Sequence, residues 1–182
     1  SVDGFARLIS GPAWLQGLER QAYDARAAEL TGGGVPPALA RQIAACNSLQ
    51  CAPDIVELAA ARKMSVESAA AAYFAVGAAF GLDWLRSRIE NLDTEGHWHA
   101  VARGSLREAL YETHRGLVQR VLEETRERDP GLALERWQKK HAAAAQHAQG
   151  VLDDIRAQPA GVDFASLSVA LQAVRRLVVV ER

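Results

Sequence analysis

β-Branched residues form one run of three in this chain, Val178-Val179-Val180, and that run closes a helical pattern instead of opening a strand. A sheet needs alternating or continuous β-formers bounded by turn residues, and the rest of the sequence is alanine-rich instead. Alanine loses no side-chain entropy on ordering and so favours helix. The stretch "AAYFAVGAAFGLDWLRSRI" at 71–89 carries this bias furthest: an apolar run with aromatics at Tyr73, Phe74 and Phe80, then an abrupt Asp-Trp-Leu-Arg restart. The expected fold class is all-α, a helical bundle of roughly seven or eight helices with a long antiparallel hairpin near the C-terminus.

Local punctuation divides the chain further. A first helix is expected from Pro12 to about Leu30, with Leu15, Leu18, Ala22 and Ala25 on one face. "TGGGVPP" ends it, and Pro37 opens a second helix through about Ala45. After the loop "CNSLQCAP", Pro53 starts a third, "PDIVELAAAR". Ser65 is placed to cap the fourth, with Glu67 near its positive end. Gly81 sits where a left-handed cap would stop that helix, and Asp83 is placed to cap the next one. A long helix from roughly His97 to Arg128 carries Trp98, Val101, Leu106, Leu110, Leu117 and Val121 along a buried stripe. "RDPGL" then turns the chain into another long helix, reaching about Gln158 and striped by Leu134, Trp137, Ala145, Ala148, Leu152 and Ile155. Asp163 caps the last helix, whose Phe164, Leu167, Leu171, Val174 and Val178 step by three and four. The tryptophans at 14, 84, 98 and 137 are unevenly spaced, which argues against a repeat architecture. With 182 residues, the expectation is a single domain over residues 1–182, with 1–62 a candidate smaller N-terminal subregion.

The chain is 49% hydrophobic and 24% charged, proportions of a folded protein and not a disordered one. Its net charge of −1 supplies no field to draw phosphate backbones or anionic lipid, so neither nucleic acid nor membrane is an expected partner. The longest apolar run, Ala69 to Leu82, falls short of the ~20 residues that span a bilayer. Cys46 and Cys51 cannot build a disulfide framework, and no signal-peptide pattern opens the chain, so a reducing, cytoplasmic setting is expected.

Residues with chemical potential are few. "GGG" at 32–34 and "GAAFG" at 77–81 follow no predicted strand, so the dinucleotide fingerprint is absent; Gly77 and Gly81 fit close helix packing and a cap. Cys46 and Cys51 lack the second ligand pair of a zinc site and read as free thiols. In "HWH" at 97–99 the two imidazoles point to different faces of a helix and cannot share an ion. His114 lies between Leu110 and Leu117, and His141 between Trp137 and Ala145, on the apolar stripes. A hairpin about Pro130 would bring His114 level with His147 to within about a turn, yet a closed metal site needs about four ligands. Neutral, partly buried histidines are therefore expected, with no metal, catalytic or cofactor-binding residue assigned. "LEETRERD" at 122–129 reads as a solvated helix end, Glu124 facing Arg128 at i, i+4.

One block is more specific. "DIVELAAARKMSVESAAAAYFAVGAAFGLDWLRSRIENL", followed by "HWHAVARGSLREALYETHRGLVQRVL", strongly resembles the C-terminal region of the large bacterial NAD-specific glutamate dehydrogenases. The match runs through Tyr73-Phe74-Ala75, Gly77, Gly81 to Arg86, Trp98, Ala102-Arg103, Leu106-Arg107 and Leu110-Tyr111. "GVPPALARQIA" upstream and "DFASLSVALQAVRRLV" downstream are similar to further family segments. The resemblance implies a parent that converts L-glutamate, water and NAD+ to 2-oxoglutarate, ammonium and NADH. None of the family's catalytic or cofactor positions falls on this chain, whose lysines, Lys63, Lys139 and Lys140, stand in polar stretches. The resemblance thus implies a non-catalytic helical domain, structural or regulatory, whose partners are the catalytic and other domains of a homo-oligomeric enzyme. NAD would serve the parent and no cofactor this segment. Tyr73, Phe74, Phe80 and Trp84 are then expected in the domain's own core, with some apolar surface left for the parent to cover. The alternative is an independent helical interaction or sensing module.

Overall fold

The computed structural model describes residues 13–38, 40–41, 51–92, 96–158 and 162–180. Among them no strand forms, and eight helices are defined: α1 Ala13–Gly32, α2 Cys51–Arg62, α3 Val66–Ala79, α4 Leu82–Glu90, α5 His97–Thr125, α6 Pro130–Lys140, α7 Ala142–Arg156 and α8 Phe164–Val179. Two compact units result, Ser1–Ala71 and Ala72–Arg182, and the boundary lies within α3.

In the first unit the glycines of "TGGGVPP" close α1. Gly34 takes φ 98°, the Gly34 N–H bonds the Thr31 carbonyl, and the Val35 N–H reaches back to the Leu30 carbonyl at 3.1 Å. That pair of bonds is a Schellman cap, and Leu30 and Val35, the two residues such caps bring together, are both buried. Helix α2 ends in the same way without a glycine. Lys63 adopts φ 52°, and the Met64 N–H bonds the Ala59 carbonyl at 3.0 Å. Ser65 caps α3 as expected, its hydroxyl accepting the Ser68 N–H at 3.0 Å. Pro37, Ala38, Ala40 and Arg41 are helical, while the remainder of the helix expected to run to Ala45 lies outside the described residues, as do Pro12 and Cys46.

The second unit is organised on α5, which packs against α4, α6 and α8; α8 in turn packs against α7 and α4. Of the stripe read from α8, Leu167, Leu171 and Val174 are buried while Phe164 and Val178 are half-buried; Leu177 takes the last buried position, joined by Ala170 and Ala173, which let the helix approach its neighbours closely. Each large side chain so buried stabilises by about 1.5–3 kcal/mol. Asp163 caps α8 through the Ser166 N–H at 2.9 Å, and Asp129 caps α6 through the Leu132 N–H at 2.9 Å, with Pro130 in the first turn.

Four expectations need correction. Helix α5 stops at Thr125, where Arg126 turns left-handed (φ 53°) with its N–H on the Leu122 carbonyl. Val101 is 47% exposed, so the fully buried stripe of α5 begins only at Leu110. The return arm expected as one helix to Gln158 is two, α6 and α7, jointed at His141 (φ −113°, ψ 37°), whose imidazole meets Glu124. Asp83 likewise does not cap α4. Gly81, at φ 70°, occupies the cap position, and Asp83 sits in the first turn with its carboxylate on Arg86.

Among the described residues no single helix is long and apolar enough to cross a membrane. Helices α3 and α4 would qualify only as a pair, and they are bent by 78° at Gly81.

Candidate functional site

Buried polar side chains gather at two places in the second unit. The first is His114, which is fully buried on α5. Its ring stacks on Tyr73 with centroids 3.6 Å apart. Nε2 lies 2.7 Å from the Tyr73 carbonyl and Nδ1 lies 3.1 Å from Arg86 Nη2. A carbonyl only accepts and a guanidinium only donates, so Nε2 carries the proton and Nδ1 presents its lone pair. Burial pushes the imidazole pKa down, and the Arg86 charge adds to that; the Tyr73 carbonyl opposes both, leaving about 3. His114 is thus a neutral ring with both nitrogens engaged. Arg86 extends the cluster to Asp83 Oδ1 at 3.1 Å and lies over the Tyr111 ring.

Two glycines make this arrangement possible. A Cβ at Gly77 would come within 2.8 Å of Asp83 Oδ1 and 3.0 Å of His114 Cε1, so only glycine admits the ring beside α3. A Cβ at Gly81 would fall 2.0 Å from Leu152 Cδ2, at a φ that already favours glycine. The space in front of both glycines of "GAAFG" is filled by side chains of the same unit.

The second cluster centres on Glu124, whose side chain is only 3% exposed. Oε1 accepts from Lys140 Nζ at 2.8 Å and His141 Nε2 at 2.7 Å; Oε2 accepts from Trp137 Nε1 at 2.9 Å and Arg120 Nε at 3.2 Å. Burial pushes this carboxyl pKa up, but the four donors outweigh it and hold the group at about 2. Arg120 then donates from its other nitrogens to the Leu177 carbonyl, at 2.9 Å, and to the Val180 carbonyl. The Leu177 carbonyl lies in the last turn of α8, where carbonyls lack an intrahelical partner, and Val180 is the extended residue that follows the helix. The cluster therefore ties α5, α6, the joint at His141 and the end of α8 into one polar knot.

This corrects the reading of "LEETRERD". Glu124 does not face Arg128 in solvent, because α5 has ended before Arg128. The usable signal was Arg120 and Glu124 at i, i+4, directly beside the apolar positions Leu117 and Val121. Arg86 was likewise missed as a buried cation. A further ion pair, Arg107 with Glu90 through both carboxylate oxygens, links α5 to α4.

The remaining candidates scatter. His147 is exposed and lines an open groove between α7 and α8 with Val151, Val169 and Arg176, while His114 is enclosed by Tyr73 and Arg86. His99 is exposed, 5.5 Å from the Phe164 ring. The side chains of Cys51, His97 and Trp98 lie outside the described residues. Of the aromatics expected in the core, Tyr73 and Phe80 are buried, whereas Phe74 and Trp84 are half-buried. Among the described residues no group of three or more histidines, cysteines or carboxylates is gathered to hold a metal.

Comparison with known proteins adds what geometry does not. A family model described as "Glutamate dehydrogenase, C-terminal" matches residues 4–176. The NAD-specific glutamate dehydrogenase of Pseudomonas aeruginosa is 31% identical over 157 residues, covering 86% of this chain and 10% of that protein. The protein of the same name from Mycobacterium tuberculosis is 31% identical over 185 residues, covering 97% of this chain and 11% of its own length. That of Halomonas elongata is 30% identical over 142 residues, 78% of this chain and 9% of its own. The chain thus spans about a tenth of the length of the curated relatives it matches.

Proposed function

Since this chain belongs to the C-terminal family of glutamate dehydrogenase, we propose that it acts as a non-catalytic helical domain of an NAD-specific glutamate dehydrogenase. In this reading the parent oxidises L-glutamate with NAD+ and water to 2-oxoglutarate, ammonium and NADH. The present domain braces the catalytic region or a contact between subunits. Its partners are the other domains of that polypeptide, within a homo-oligomeric cytoplasmic enzyme.

The observation that carries the reading is how the buried polar groups are spent. His114, Arg86, Glu124 and Arg120 are ionisable side chains buried in the second unit, and the contacts they make within it join its helices to one another. A general acid or base needs a pKa near the working pH. His114 at about 3 and Glu124 at about 2 are held far below it by their surroundings.

Deleting the corresponding region from an intact relative tests the bracing role. The expected outcome is a lower thermal midpoint and loss of the native assembly on size-exclusion chromatography. Retention of assembly, stability and turnover in the truncated enzyme would contradict it.

A further inference from the structure

The block "GLDWLR-S-R" is the most specific sequence motif of the chain, yet the core uses only part of it. Leu82, Leu85 and Ile89 are buried, and Asp83 and Arg86 belong to the His114 cluster. Trp84 and Arg88 face the other way. Trp84 is half-buried on α4, with the Arg88 guanidinium carbon 5.6 Å from its ring centroid and that of Arg156, from the last turn of α7, at 5.1 Å. Both arginines are exposed, and among the described residues neither has a carboxylate within ion-pair distance.

Three acids of α4 and α7 are engaged by other side chains. Asp83 is taken by Arg86, Glu90 by Arg107, and Asp153 accepts from Gln149 Nε2 at 2.8 Å. What remains is a half-buried indole with two exposed arginines beside its ring. Stacking on an aromatic face fixes a guanidinium without consuming its N–H groups, and leaves a planar fork matched to a carboxylate. Tryptophan and arginine together are also the residues that dominate binding energy at protein interfaces.

We propose that the Trp84–Arg88–Arg156 face is a docking site for an acidic protein segment, whose carboxylates meet the two guanidiniums while its apolar parts cover the indole. A peptide uses both halves of this surface. A small anion such as phosphate would use the charges alone. The inference concerns this surface only, so failure of the deletion experiment above leaves it standing.

The test is titration of a short oligoglutamate peptide into the chain, followed by the NMR shifts of the Trp84 indole N–H and the Arg88 and Arg156 Nε–H. Saturable, salt-sensitive binding at these three groups is expected. The double variant Arg88→Gln/Arg156→Gln should lose about tenfold or more in affinity, a difference of about 1.4 kcal/mol, with an unchanged denaturation midpoint. Arg88→Lys/Arg156→Lys keeps the charge and should still bind more weakly, because an ammonium neither stacks nor forks. Absence of peptide binding, or binding indifferent to the double variant, would overturn the proposal. A lowered denaturation midpoint without any change in binding would make the stack purely structural. Preferential binding of inorganic phosphate, or of phosphatidylserine vesicles, would reassign the face to those anions.

Discussion

His114 shows what a titratable side chain does when a helical unit closes over it. The folded-state pKa, about 3, lies below the ordinary 6.5, so on acidification the unfolded chain takes up this proton first. The stabilisation is therefore complete above pH 6.5 and is lost as pH falls from there toward 3. Between pH 7 and 5 the loss attributable to this one group is about 2 kcal/mol. Urea denaturation across that range should show a pH slope in the native chain that His114→Gln removes, whatever the variant's absolute stability. Equal slopes in the two proteins would contradict the neutral, enclosed ring. The burial of His114 was readable from its spacing to Leu110 and Leu117 on the same helix. Its partners were not, because Arg86 and the Tyr73 carbonyl lie 28 and 41 residues away and only the folded bends of α3 and α4 bring them together.

Helix starts and stops marked by a capping residue were legible, and those without such a marker were not. Ser65 and Asp163 start helices through bonds to residues three positions on, and Gly81 ends α3 through its own backbone. The joint at His141 has no such marker. At that joint Glu124 gathers His141, Lys140, Trp137 and Arg120 around one buried carboxylate. Glu124→Ala should thus leave Arg120 buried without its counter-charge and loosen both the joint and the end of α8. The expected cost is about 3–5 kcal/mol in chemical denaturation, accompanied by faster hydrogen exchange in the last turn of α8. A substitution that cost less than about 1 kcal/mol would place this pair with ordinary surface ion pairs and refute the knot.

At the scale of the molecule, the scarcity of β-formers and the three-and-four spacing of apolar residues were enough to expect an all-α bundle, and the described residues form one. Those patterns are agnostic about function, since any helical core produces them. The functional assignment came instead from the specific block between Asp54 and Leu122, and the family match over residues 4–176 carries the same assignment. The structure then explains why that block is so particular: its glycines admit His114 and Leu152, its Asp83 and Arg86 enclose a buried imidazole, and its Trp84 and Arg88 are left on the surface. The central proposal is that these residues build a non-catalytic domain, with hydride transfer left to other parts of a parent enzyme. The most direct measurement is to supply the isolated chain with NAD+ and L-glutamate and to follow NADH by absorbance. The account predicts no NADH above the enzyme-free rate, and glutamate-dependent formation of NADH by this chain alone would contradict it.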